Sequence, residues 1–154
     1  MSKKNGQPHL TVAAIVQKDN HFLMVKEIQD GIEVLNQPAG HVENNESLTS
    51  AVIRETLEES GWLVEPKGVL GFYTLTPHPE ADTYHRICIV CDAIEQTSKE
   101  LDLDIIESMW VHENEIEKHA LRSPLVKKCI DDFLSSQKRN ASLIPLNVIC
   151  NDYL

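Results

Sequence analysis

The sequence predicts an α/β fold, a mixed β-sheet sandwiched between α-helices, with residues 1–154 forming one domain. Three observations point there. Strand-like and helix-like segments mix without the regular alternation of a doubly wound fold. Hydrophobic residues make up 42% of the chain but aromatics only 5%, so the core is aliphatic, built from Leu, Ile and Val. A length of 154 residues suits one core and holds two only if both are unusually small.

Taken in order, His9 to Val16 reads as a strand, Asp19-Asn20 as a turn, and His21 to Glu27 as the second arm of a hairpin. Gly31 to Leu35 fits a short third strand, after which Pro38 and Gly40 break regular structure. Asn44-Asn45 offers a helix N-cap, and a helical pattern runs to about Ser60 with Gly61 as its stop. Val64 to Leu75 holds one or two strand segments, and Thr76 to Pro79 is a loop. Tyr84 to Ile94 reads as a buried strand, and Met109 to His112 as a last short one. A second helix is expected from Leu125 to Ser136, entered through Ser123-Pro124.

Charge and cysteines exclude several classes. The chain has 24 Asp and Glu against 14 Lys and Arg, a formal net charge of -10. A polynucleotide held by its phosphates needs a basic surface, as does an anionic membrane, so neither is an expected partner. No apolar run approaches a membrane span, and Met1 to Pro8 lacks a secretory pattern, so a cytoplasmic protein is expected. Cys88 and Cys91 form a CxxC, but inside a strand a spacing of three points them to opposite faces, so they read as buried thiols. Leu101 to Asp104 lacks the glycine and ligand spacing of a calcium loop and reads as a surface turn.

The chemistry concentrates between Gly40 and Trp62. At about 100° per residue, Leu48, Ala51 and Val52 form one stripe of the first helix, and Glu55, Glu58 and Glu59 continue it. Ile53 and Leu57 make a second apolar face. From Glu43 to Glu65 there are six glutamates and one arginine, Arg54. Acids converging on an inward stripe repel one another, and desolvation adds to the cost. A hard divalent cation answers that problem, since carboxylate oxygens suit Mg²⁺ or Mn²⁺ and Mg²⁺ bridges carboxylates to phosphates.

The same segment resembles the Nudix box, Gly-x5-Glu-x7-Arg-Glu-U-x-Glu-Glu-x-Gly-U, with U a bulky apolar residue. Gly40, Glu46, Arg54, Glu55, Glu58, Glu59 and Gly61 fill every fixed place over 22 positions, and Trp62 suits the last one. Thr56 departs from the usual Ile, Leu or Val. Asn36 to His41 and Leu121 to Val126 are similar to the NudJ-type phosphatase branch of that family.

The resemblance implies a Nudix fold and a Mg²⁺-dependent hydrolase, with Mn²⁺ able to substitute. Glu55, Glu58, Glu59 and the Gly40 carbonyl are the implied metal ligands, and Glu46 is an auxiliary one. Arg54 is implied to orient Glu55, and Glu58 or Glu59 to act as general base. A further acid, Asp104 or Glu107, either assists or is simply a surface acid. Implied substrates are nucleoside tri- and diphosphates and related small pyrophosphates, including that of the thiamin pyrimidine precursor. ADP-sugars or dinucleoside polyphosphates are the alternative, and a nucleotide-binding sensor without turnover is the alternative of another class.

Substrate contacts are expected at Arg86 and Gln37. Arg86 suits a phosphate, or else stands in solvent at a strand end, while Gln37 hydrogen-bonds a base or pyrimidine, or else serves its loop. His41, beside the metal loop, packs or hydrogen-bonds in preference to ligating. His78 and His85 flank a possible covering loop. Tyr73 and Tyr84 are read as core residues before stacking platforms, and Arg122 as a helix-entry residue before a phosphate ligand. No heptad seam indicates a dimer, so a monomer or weak homodimer is expected.

Overall fold

A computed structural model of the chain describes residues 6–154. The stretch from Met1, read above as lacking a secretory pattern, lies largely outside these residues. Strands β1 (His9–Lys18) and β2 (His21–Gln29) form the expected hairpin. Asp19 and Asn20 both take positive φ, 50° and 60°, which gives a two-residue turn matching the strand twist. A second tight turn at Asp30-Gly31 leads to β3 (Ile32–Asn36), antiparallel to β2.

The next element was not expected. Ala39–His41 is a short strand, β4, antiparallel to β1 with Val12 opposite Gly40. Pro38 and Gly40 read as breakers along the sequence, and three residues are too few to show a period of two. Helix α1 follows (Leu48–Ser60), capped by Ser47, whose Oγ accepts the Ser50 N–H at 3.1 Å. Asn44-Asn45 therefore lies ahead of the cap, with Asn45 in a left-handed turn (φ 59°) that Asn tolerates better than most residues. Gly61 closes the helix at φ 76° and donates to the Leu57 carbonyl; a side chain there would run into the Ser98 carbonyl.

Strand β5 (Trp62–Leu75) is one strand, whose register shifts on both sides of Pro66 and again near Gly71. It pairs with β6 (Tyr84–Gln96), and β7 (Ile105–His112) begins four residues earlier than expected. Helix α2 (Pro124–Lys138) starts as expected, with Ser123 as cap and Pro124 in the first turn. The tail returns to β5, where Val69 and Ile144 exchange backbone hydrogen bonds of 2.8 and 2.9 Å.

The sheet is mixed. Its order is β3-β2-β1-β6-β5, with β4 also on β1 and β7 also on β2, and β1 runs parallel to β6 while the other pairs are antiparallel. β1 and β2 share only the pairs next to their turn, Gln17–Phe22 and Lys18–His21, so the two halves diverge beyond it. Strand alternation splits the core between the two helices. Val12, Ala14, Val16, Ile87, Ile89 and Cys91 pack with Ala51 and Val52 of α1, whereas Ile15, Phe22, Met24, Cys88 and Val90 pack with Val126, Cys129 and Phe133 of α2. Cys88 and Cys91 thus face opposite sides, both buried and free. Among the described residues no helix is long and apolar enough to cross a membrane.

Candidate active site

The acids of α1 gather around one guanidinium. Arg54 Nε donates to both Glu46 oxygens at 3.0 and 3.1 Å, and Nη1 donates to Glu55 at 2.7 Å and to Glu58 at 3.2 Å. Nη2 donates to the His41 carbonyl at 3.0 Å, tying helix to β4. Burial works against the Arg54 charge, but the bonds to Glu46 and Glu55 outweigh it and raise its pKa further. Gly40 faces this cluster so closely that a Cβ there would collide with the Glu55 carboxyl. The Gly40 backbone is therefore held next to a carboxylate by β1 on one side and α1 on the other.

Glu59 differs from its neighbours. It is buried, with one oxygen accepting the Ala39 N–H at 2.7 Å. Burial pushes its carboxyl up to about 8; the Ala39 bond opposes this, and Glu55, Glu27 and Asp102 add repulsion. Glu55 is raised by the same desolvation, which its bond and charge contact with Arg54 only partly offset. Glu58 is the open member, its side chain 44% exposed. Thr56, where the Nudix pattern has an apolar residue, is fully buried and satisfies its hydroxyl by donating to the Val52 carbonyl at 2.7 Å.

A cleft of about 430 Å³ opens beside Ala39, Gly40 and His41. Its walls come from both halves of the sheet and the start of α2, and include Glu27, Asn36, Tyr84, Arg86 and Arg122. Arg86 donates from Nη1 to Gln37 at 3.2 Å, and its buried Nε has no partner. Arg122 pairs with Glu27 at 3.0 Å, and Asn36 donates to the same Glu27 oxygen at 3.3 Å. Asn36 Oδ1 is the other buried side-chain nitrogen or oxygen without a partner among the described residues.

Several expected residues thus come together: Gly40, Glu46, Arg54, Glu55, Glu58 and Glu59 in one cluster, with Arg86 on the adjoining cleft. Gln37 is fully buried, donating to the Ala14 carbonyl and accepting from Arg86, so it props the arginine, as the loop role expected for it allows. Tyr73 donates to Asp132 on the α2 side, away from the cleft lining, while Tyr84 does line it. Glu107 is paired with Lys26 at 2.8 Å. The outside acids that bear on Glu59 are Glu27 and Asp102; Asp102 is brought in by its N–H to the Glu58 carbonyl at 2.9 Å. No local pattern marks Glu27 or Asp102, since only strand pairing and the loop packed on the end of α1 bring them there.

Among the described residues no three acids already stand where they enclose an ion. Arg54 bonds Glu46, Glu55 and Glu58, and the Ala39 N–H bonds Glu59.

A mixed sheet between two helices, one of them carrying this acid-and-arginine cluster beside a cationic cleft, defines a Nudix-type phosphohydrolase. A NUDIX domain matches residues 7–133. Phosphatase NudJ of Shigella boydii is 35% identical over 141 residues, covering 90% of this chain and 91% of that one. Its counterpart from Escherichia coli K12 is 34% identical over the same span. A solved NUDIX hydrolase from Nitrosomonas europaea superposes with a TM-score of 0.86 at 33% identity, covering 94% of this chain and 97% of that one. The chain belongs to the Nudix family, is similar to the NudJ phosphatases, and is a pyrophosphate-cleaving hydrolase.

Proposed function

We propose that the chain, acting as a single cytoplasmic domain, is a Mg²⁺-dependent hydrolase of phosphoanhydride bonds in nucleoside tri- and diphosphates and related small pyrophosphates, including that of the thiamin pyrimidine precursor. The observation that carries it is the Glu55 carboxyl packed against Gly40, where no side chain fits, beside three further acids, two of which share its arginine. Oxygen donors of this kind suit a small hard cation, with Mn²⁺ as the expected substitute. The Gly40 carbonyl, Glu55, Glu58 and Glu59 are the residues that would hold it, with Glu46 as auxiliary. When bound, the ion would polarise the phosphoryl oxygens and lower the pKa of the attacking water.

The chain's own residues divide the remaining work. Arg54 holds Glu46 and Glu55 by charge-assisted bonds and keeps α1 against the His41 carbonyl. Glu58 is better placed than Glu59 to accept a proton from water, because it is exposed while Glu59 is buried and pinned. Arg86, held by Gln37, and Arg122, held by Glu27, supply positive charge to the cleft where the rest of the substrate lies.

A panel of nucleoside tri- and diphosphates, ADP-sugars, dinucleoside polyphosphates and the pyrimidine pyrophosphate, scored for orthophosphate and pyrophosphate release with Mg²⁺ and with chelator, tests this reading. Release from the first group that stops on chelation is expected. Folded protein that releases nothing from any of them, with Mg²⁺ or Mn²⁺, overturns it and leaves the sensor alternative.

A further inference from the structure

Outside the acid cluster, four side chains form a connected group that the mechanism above does not use, and two of them, His41 and Tyr84, line the cleft. The sheet register assembles them. β1 runs parallel to β6 with His9 beside Tyr84, and antiparallel to β4 with Thr11 opposite His41, which makes His9 the diagonal neighbour of His41 on the same face. The His9 ring stacks on Tyr84, with centroids 4.5 Å apart and planes 13° from parallel. Its Nε2 lies 3.2 Å from Asp82 Oδ2, and its Nδ1 lies 2.9 Å from His41 Nε2.

The bonding fixes the order of the chain. A carboxylate only accepts, so His9 Nε2 carries a proton and donates it to Asp82. With the proton between the rings on His9 Nδ1, His9 is an imidazolium paired with Asp82 and donates to His41 Nε2, and the neutral His41 carries its own proton on Nδ1, where it is a donor. Both His9 nitrogens and one His41 nitrogen are thus committed, and Tyr84 prevents the His9 ring from turning away. His41 Nδ1 has no protein partner among the described residues, and His41 lines the cleft next to Gly40.

We infer that His41 contacts the substrate directly, through Nδ1 to an oxygen of the pyrophosphate group, and that His9 and Asp82 are positioning residues that aim it. The class of ligand follows from the surroundings. His41 sits one residue from Gly40, against which the acids lie, and shares its cleft with Arg86 and Arg122. A group spanning the acid cluster and two arginines is an anion that also carries cation-binding oxygens, which describes a pyrophosphate. The inference rests on the hydrolase reading for the identity of the substrate, but its test does not depend on turnover.

Binding of imidodiphosphate, a non-hydrolysable pyrophosphate, is measured by calorimetry in Mg²⁺ alongside KM and kcat for a nucleoside triphosphate. A hydrogen bond to a charged group predicts that His41→Asn weakens imidodiphosphate binding about ten- to a hundredfold and raises KM similarly, with kcat changed less. His9→Asn and Asp82→Asn are expected to weaken binding about three- to tenfold. In the His41→Asn background, His9→Asn adds nothing, because its effect passes through His41. His21→Asn, at the far end of the β1–β2 hairpin, leaves binding unchanged. If His41→Asn does not fold, His41→Gln is measured in its place. Wild-type affinity in the His41 variant, independent effects at His9 and His41, or a wild-type protein that binds no imidodiphosphate overturns the inference. Wild-type binding without hydrolysis of any substrate removes the hydrolase reading alone.

Discussion

Replacing Glu59 by Gln removes a buried charge and keeps the shape of the side chain, so metal-free protein is expected to gain stability at slightly alkaline pH. Burial raises the Glu59 carboxyl from 4.5 to about 8. Between those values the native state binds a proton that the unfolded state has released, so wild-type stability falls as pH rises from about 4.5 to about 8. The full separation converts to roughly 4–5 kcal/mol. Water entering from the adjoining cleft trims this to about 2–4 kcal/mol. The Glu59→Gln variant keeps an acceptor for the Ala39 N–H and has no such pH dependence. For a chain of this size the gain corresponds to a melting temperature about 5–10 °C higher near pH 8, with little difference near pH 5. The assay is thermal melting of both proteins in EDTA across that range, where the difference between them cancels the titrating groups that do not interact with Glu59. Added Mg²⁺ is expected to stabilise wild type and to do much less for Glu59→Gln, whose turnover falls by orders of magnitude. A variant that melts no higher than wild type near pH 8, or a difference independent of pH, refutes the reasoning.

Gly40→Ala drives a methyl group into the Glu55 carboxyl, so kcat is expected to fall at least about a hundredfold with a modest loss of stability, read by initial rates and melting. Gln37→Leu strands the Ala14 carbonyl and the Arg86 guanidinium together, and is expected to cost about 2 kcal/mol in urea unfolding and to raise KM. A Gln37 that touched substrate alone would move KM and leave stability unchanged.

Legibility differed sharply between the helix and the cleft. Every acid of the cluster lies within 22 residues, and helical spacing alone brings Glu55, Glu58 and Glu59 together; the Gly61 stop was equally visible. Strand β4 was not, because its three residues include a glycine that reads as a breaker until Glu55 is seen filling the space beside it. Gln37 illustrates the same gap. A polar residue next to a motif invites a ligand-binding role, and only the packing of β1 and β6 around it shows that it is buried.

What the sequence determined by itself was the chemistry that is local along the chain: an acid-rich helix face, its arginine, its flanking glycines, and a composition suited to a mixed α/β core. Those depend on a 3.6-residue repeat and on backbone freedom, both of which act over a few neighbouring residues. What the tertiary structure decided was every pairing across long stretches of chain. These include Glu27 and Asp102 beside Glu59, Arg122 on Glu27, and the Asp82–His9–His41 chain. Each joins residues from different elements, and strand register, which no single segment encodes, brings them within reach.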